Sequence, residues 1–272
     1  MRIALLMVKH PPERKSPIMP EVIERLRARG AEVDVLYPDE SLTDLSRVRV
    51  EHDLYVLKSG SDRALSLAGA LHAQGASVLN PYPAASALRD KVVATRVLQA
   101  AGVPVPATWL ARDAAELVPL LAGGAVVVKP YRGSQGRGVF VMRTAEELLA
   151  LPAQESLLFA QRHHAPDGPD CKLYCVGGRV FGVRRIWPPK TYEDKLGQPF
   201  VVSRELEEIA LACGAAFGVR IFGVDVVLSD GRPYVVDMQA FPGFKGVPDA
   251  AALLAEEIWA AAKAAPWTAA AA

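Results

Sequence analysis

Disulfide chemistry is the first thing this sequence lacks. Only three of its 272 residues are cysteine (Cys171, Cys175 and Cys213), too few for a disulfide framework. Cys171 and Cys175 have no further Cys or His at zinc-site offsets, so the pattern excludes a structural zinc as well. The three read as reduced thiols in a core. An excess of charge of one sign is also missing: 31 Lys and Arg stand against 30 Asp and Glu. Bulk charge therefore offers no footprint for nucleic acid or a membrane surface, and any anion site must come from local clustering. The apolar run at residues 3–8 is too short to span a bilayer and has no small-residue cleavage site behind it. These absences predict a cytoplasmic protein with no nucleic-acid or membrane partner. With 51% hydrophobic and 22% charged residues, the chain can bury a sizeable core as one large unit or two to three small ones.

What is present begins with alternation. Residues 2–8, 31–36, 53–57 and 78–79 predict strands, and 20–30 and 63–74 predict helices stopped by Gly30 and Gly75. Strands alternating with helices imply a parallel sheet with covering helices. A second unit follows: a helix over 90–101, strands at 108–111, 125–129 and 139–142, a helical stretch at 114–121, and a helix at 145–149 with Thr144 as N-cap. The third holds strands at 173–176, 180–183, 222–228 and 234–237, with Gly177-Gly178 and Asp230-Gly231 as hairpin turns. Helices at 204–217 and 249–262 complete it. Leu254, Ile258 and Trp259 on the last helix serve either the core or a homodimer face. The fold class is α/β, turning to α+β in the third unit, with boundaries at 1–88, 89–156 and 157–265 and an Ala-rich tail at 266–272.

Four constellations carry chemistry. In the first, the strand Val126-Val127-Val128-Lys129-Pro130 runs into a loop with Gly133, Ser134, Gln135, Gly136 and Gly138. Glycines let backbone N–H groups approach phosphate oxygens, and a Lys at a strand end pairs with phosphate as a point charge. No Gly-Lys-Ser/Thr is present and a strand follows, so this is neither a P-loop nor a dinucleotide fingerprint. The ordinary alternative is a hairpin with a Gly-rich turn. In the second, Asp225 and Asp237 each interrupt an apolar strand, with Gln239 two residues beyond. Adjacent antiparallel strands would put both carboxylates on one face, and two carboxylates plus an amide oxygen suit Mg²⁺; the alternative is a pair of plain strand-end acids. The third is the turn Phe241-Pro242-Gly243-Phe244-Lys245-Gly246, which presents a lysine or is only a connection. The fourth is a scatter of bases: Lys9, His10, Lys58, Lys91, Lys172, Arg184 and Arg185. Singly these are solvated charges; converging on one cleft, they would favour an anionic ligand.

Taken in order, from Leu88-Arg89-Asp90-Lys91 and Gly102-Val103-Pro104 through Lys129 and the Gly loop to Asp225, Asp237 and Gln239, the chain resembles the ATP-grasp superfamily over nearly its whole length. The resemblance implies an N-terminal α/β lobe, a lid lobe and a C-terminal lobe, with ATP held between the last two. It implies that Lys91 and Lys129 contact phosphates under the 133–138 loop and that Gln161, Arg162 and His163 form the adenine hinge. It further implies that Asp225, Asp237 and Gln239 hold Mg²⁺, as two ions. Lys172, Arg185 and Asp237 are then the catalytic set, and Lys9, Lys58, Arg184, Gly243 and Lys245 face an anionic small-molecule or peptide acceptor. Two positions depart from the family pattern. Gln239 stands for the usual Asn, one methylene longer, and Lys172 stands where the ligases often carry Arg, so it lacks the planar bidentate fork. The chain is similar to RimK-like ligases, which join a carboxylate to an amine through an acyl phosphate. It is also similar to inositol phosphate kinases, in the segments 172–177 and 240–247 and in Lys58. A non-catalytic ATP-binding module is the third reading. The segment 187–199 has no regular pattern and is expected to be a mobile lid.

Overall fold

The structure, a computed structural model, describes residues 1–9, 16–132, 138–152, 157–185 and 196–264. His10, the loop residues Gly133, Ser134, Gln135 and Gly136, most of the segment 187–199 and the tail after Pro266 lie outside the described residues.

The first sheet is parallel, in the order β2-β1-β3-β4, from β1 (Arg2–Leu6), β2 (Glu32–Leu36), β3 (Leu54–Leu57) and β4 (Val78–Leu79). Alternate residues of β1 pack to opposite faces. Ile3 and Leu5 meet Val22 and Leu26 of α1 (Ile18–Ala28), whereas Ala4 and Leu6 meet Ala64, Ala68 and Leu71 of α2 (Asp62–Ala73). Burial on both faces is why β1 reads as a continuous apolar run. The predicted break at Asn80-Pro81 is followed by helix α3 (Tyr82–Arg89), which the sequence reading missed. Pro83 sits in its first turn, where a missing N–H is no loss. The Asp90 carboxylate accepts from the backbone N–H groups of Val92 and Val93 and starts α4 (Lys91–Ala100).

The second sheet is antiparallel, order β5-β8-β6-β7: β5 (Thr108–Ala111), β6 (Val126–Pro130), β7 (Phe140–Met142) and β8 (Leu158–Arg162). The expected boundary at 157 separates β8 from the sheet in which it pairs. The expected helix at 114–121 is a 3-10 stretch over Ala115–Gly123; Pro119 inside it removes a donor and prevents a regular α-helix. Thr144 does cap α5 (Ala145–Leu149), through a reciprocal pair with Glu147.

The third sheet is antiparallel, order β11-β10-β9-β12-β13: β9 (Asp170–Val176), β10 (Arg179–Arg185), β11 (Gln198–Phe200), β12 (Ile221–Ser229) and β13 (Arg232–Ala240). Strand β11, inside a segment expected to be irregular, is an edge strand of three residues. That is the place a sheet tolerates its Pro199. On one face of this sheet Cys171, Leu173 and Cys175 pack with Leu206, Ala210 and Cys213 of α6 (Arg204–Phe217). All three cysteines are buried and free. On the other face Tyr174, Val176 and Ile221 join Leu254 and Ile258 of α7 (Ala250–Ala264), which also lies against α1. Leu254 and Ile258 are therefore core residues, with Trp259 partly buried beside them. No helix among the described residues is long and apolar enough to cross a membrane.

Candidate active site

The site is one face of the third sheet near its junction with the second. Strand alternation puts Asp170, Lys172 and Tyr174 of β9 on that face. Register then does the rest: Lys172 lies opposite Asp225, and Asp225 opposite Asp237. The next pair is Val226 with Val235, so Val236 is an extra residue and the ladder bulges there. The bulge leaves the Val236 carbonyl available to the Lys129 ammonium, which donates to it at 3.2 Å.

Each carboxylate carries a lysine. Lys172 Nζ is 2.8 Å from Asp225 Oδ1, and Lys91 Nζ is 3.2 Å from Asp237 Oδ1. Lys172 is only 3% exposed. Room for its stem comes from Gly223, where a Cβ would lie 3.0 Å from Lys172 Cε and 2.9 Å from Pro242 Cγ. Gln239 Nε2 stands 3.5 Å from Asp237 Oδ2. Lys129 spans two sheets, because it also donates to Gln161 Oε1 of β8 at 2.8 Å. Burial pushes its pKa down to about 8, against the pull of Asp237. Among the described residues no three His, Cys, Asp or Glu side chains gather into a metal cage. Two facing carboxylates and an amide are instead the donor set of a site that Mg²⁺ completes with phosphate and water, so the residues fit that ion.

The far wall comes from the first sheet and from the turn after β13. Lys58, at the end of β3, donates to the Phe241 carbonyl at 3.2 Å and lies 5.4 Å from that ring's centre. It is partly buried, and desolvation lowers its pKa to about 8. Phe241 and Phe244 hold positive φ of 49° and 50°, which bulky residues rarely adopt. Their rings are buried edge to face at 6.1 Å, and Phe244 leans on Tyr174 at 5.3 Å. Gly243 is exposed and Lys245 partly buried on this turn. The Tyr174 hydroxyl accepts from Arg185 at 2.5 Å. Tyr174 and Asp170 escaped the sequence reading; their period-two spacing with Lys172 was the signal available.

Other expected residues stand elsewhere. Arg184 is opposite Cys171, on the α6 face of the sheet, with its guanidinium 5.0 Å from the Phe200 ring. Lys9 is exposed, with Glu40 at 3.9 Å. The Arg162 side chain donates to the carbonyls of Leu120, Gly124 and Ala125 and so fastens the 3-10 stretch. His163 donates its backbone N–H to Ala125, and burial lowers its ring pKa. Gly138 has φ of 71°, and a Cβ there would touch Pro130.

Residues 88–261 match the RimK-like ATP-grasp domain family. A probable alpha-L-glutamate ligase of Parasynechococcus marenigrum is 26% identical over 205 residues, 68% of this chain and 44% of that protein. Probable alpha-L-glutamate ligase 1 of Hahella chejuensis is 29% identical over 190 residues, 65% of this chain and 63% of that protein. The chain thus spans about half of the first relative and under two thirds of the second. Among solved structures, the RimK domain ATP-grasp protein of Sphaerobacter thermophilus superposes with a TM-score of 0.73 at 21% identity, covering 95% of this chain and 100% of that one. D-cycloserine synthetase DcsG superposes with a TM-score of 0.76 at 22% identity, covering 98% and 100%. These likenesses show an ATP-grasp fold. With the family match extending over well more than half its length, the chain belongs to the RimK-like ATP-grasp domain family.

Proposed function

We propose that this chain is a Mg-ATP-dependent ligase that joins a carboxylate to an amine through an acyl phosphate. The observation that carries the reading is the facing pair Asp225 and Asp237, ringed by Lys91, Lys129 and Lys172 at the seam of two sheets. The relatives named as glutamate ligases support it, as does a fold neighbour, the ATP-grasp ligase PsnB, solved with Mg and ADP.

In this reading ATP lies between the second and third sheets. Lys91 and Lys129 pair with its phosphates, and the 161–163 backbone meets adenine; the Arg162 guanidinium serves the fold instead. Asp225, Asp237 and Gln239 would hold Mg²⁺, as two ions. When bound, the metal supplies positive charge against the phosphate oxygens. The acceptor carboxylate attacks the γ-phosphorus in line, ADP departs, and an acyl phosphate remains. Lys172 and Arg185 neutralise charge on the transferred group. The amine then attacks the acyl carbon, and inorganic phosphate leaves. Positioning and electrostatics supply most of the rate. Lys58, Gly243 and Lys245 line the acceptor side, which favours an anionic small molecule or peptide; Lys9 and Arg184 take no part. Three free buried thiols agree with a cytoplasmic setting.

Product analysis tests this. The protein is incubated with Mg-ATP and pooled amino acids, small peptides and inositol phosphates, and ADP, free phosphate and acceptor masses are followed together. ADP with free phosphate and a condensed product is expected. A phosphorylated acceptor without free phosphate would establish a kinase instead. No ADP at all would leave a non-catalytic ATP-binding module.

A further inference from the structure

A row of polar side chains crosses the second sheet and ends at Lys129. Thr108 of β5 is in register with Gln161 of β8, and Lys129 of β6 is in register with Phe159, two residues back on the same face of β8. Because the strands are ordered β5-β8-β6, Thr108, Gln161 and Lys129 stand side by side. The Thr108 hydroxyl donates to the Pro106 carbonyl at 2.8 Å, Gln161 Nε2 donates to Thr108 Oγ1 at 3.4 Å, and Lys129 donates to Gln161 Oε1 at 2.8 Å.

The direction of each bond is fixed by chemistry. An ammonium only donates, so Lys129 takes the amide oxygen. The amide nitrogen is thereby turned to Thr108, whose oxygen accepts, and the hydroxyl proton is left for Pro106. Both ends of the relay are tied to β13: Val235 donates its backbone N–H to the Pro104 carbonyl at 2.8 Å, and Lys129 donates to the Val236 carbonyl. Two of the three N–H groups of Lys129 are thus committed to acceptors on different sheets, and the third has no acceptor among the described residues. Packing alone does not call for this row. Gln161 is 3% exposed, and on the same strand and face Phe159 fills its place with no polar atom. Replacing both partners of a hydrogen bond by apolar groups of the same shape is nearly neutral for folding, so a buried amide at 161 is accounted for by what it does to Lys129.

We propose that Gln161 and Thr108 are positioning residues: they hold the Lys129 ammonium in the orientation that leaves one N–H for a nucleotide phosphate. This rests on the reading above, in which Lys129 pairs with the phosphates of ATP. The Gln161 side chain then acts through Lys129 and not on adenine, and Thr108 governs phosphate binding without touching the nucleotide.

A double-mutant cycle on the full chain tests this. Thr108→Val keeps the shape and β-branching of the side chain and removes only the hydroxyl, whereas Thr108→Ser keeps the hydroxyl. The Kd for a non-hydrolysable ATP analogue with Mg²⁺ is measured by isothermal titration for wild type, Thr108→Val, Thr108→Ser, Lys129→Met and the Thr108→Val/Lys129→Met double variant, beside a thermal melt of each. Thr108→Val should weaken binding about fivefold, and Thr108→Ser should recover most of that loss. With Met at 129, Thr108→Val should change Kd by less than about twofold. An unchanged Kd for Thr108→Val would overturn the proposal. So would an equal loss with Lys129 present or replaced, which would assign Thr108 to adenine or to the fold, and so would a Thr108→Ser variant as weak as Thr108→Val. An unchanged Kd for Lys129→Met would defeat the reading that Lys129 meets phosphate, and absence of binding by wild type would defeat the ATP reading itself; either takes the proposal with it.

Discussion

Asp225 and Asp237 face each other across β12 and β13 at the last regular rung before a bulge. The bulge matters because it changes what the next residue does. Val236 leaves the ladder and offers its carbonyl to Lys129, so one extra residue ties the two carboxylates to the lysine of the neighbouring sheet.

Removing one of those carboxylates should separate chemistry from folding. The Asp237 side chain is about 29% exposed and pairs with Lys91 at 3.2 Å. A pair that keeps this much contact with solvent contributes on the order of 1 kcal/mol. Asp237→Ala should therefore lower turnover by about 100-fold or more while Tm moves by only a few degrees. Steady-state ADP release beside a thermal melt checks both, and near wild-type turnover would remove Asp237 from the metal site.

Lys129 should report on nucleotide binding. Its ammonium is 9% exposed as a residue and bridges Gln161 and Val236. Lys129→Met should raise the Kd for ATP by about tenfold or more, the worth of one charge-assisted contact. Isothermal titration with a non-hydrolysable ATP analogue measures it, and an unchanged Kd would exclude Lys129 from the nucleotide site.

Lys58 gives a pH-dependent prediction. Its amine titrates near 10.5 when unfolded and about 8 when folded, because burial disfavours the charge. Below pH 8 both states are protonated and the folded state bears the whole desolvation penalty. Between pH 8 and 10.5 the unfolded chain holds more protons, so stability from this group rises with pH. Lys58→Met should stabilise the protein at pH 7 by on the order of 1–2 kcal/mol, after the lost bond to Phe241 is set against the relief. That gain should shrink by pH 10. Urea unfolding at the two pH values decides it; equal gains at both would contradict the assignment.

Gly223 tests whether the Lys172–Asp225 contact depends on space. A methyl group at 223 would enter the van der Waals shell of Lys172 and of Pro242. Gly223→Ala should push Lys172 off Asp225 and reduce turnover about tenfold or more, with kcat affected more than the KM for ATP. A fall confined to the KM for ATP would show that the slot serves the nucleotide instead.

Asn80 is a purely structural counterpart. Its buried amide donates to the Ile221 carbonyl at 2.6 Å and accepts from the Ile221 N–H at 3.4 Å, fastening the first sheet to the third. Asn80→Ala strands both groups and should destabilise by about 2 kcal/mol, read by denaturant unfolding.

Much of this molecule was determined by the sequence alone. The apolar runs of β1, β3 and β12, the Gly30 and Gly75 stops behind α1 and α2, and the Thr144 cap are local signals, set by periodicity and by backbone groups that need partners nearby. Lys129, Asp225 and Asp237 stand out in one dimension because each is a charge inside an otherwise apolar run, whereas Lys91, which follows Arg89 and Asp90, took its phosphate role only from the family resemblance. What only the tertiary structure decided was which of these charges meet. Period two says that Arg184 and Arg185 point opposite ways, but only the β9–β10 register says that Arg185 shares the face of Lys172 and Arg184 does not. The bulge at Val236 and the slot at Gly223 are equally invisible in sequence. Register and close approach depend on strands brought together from distant parts of the chain, and no local pattern encodes them.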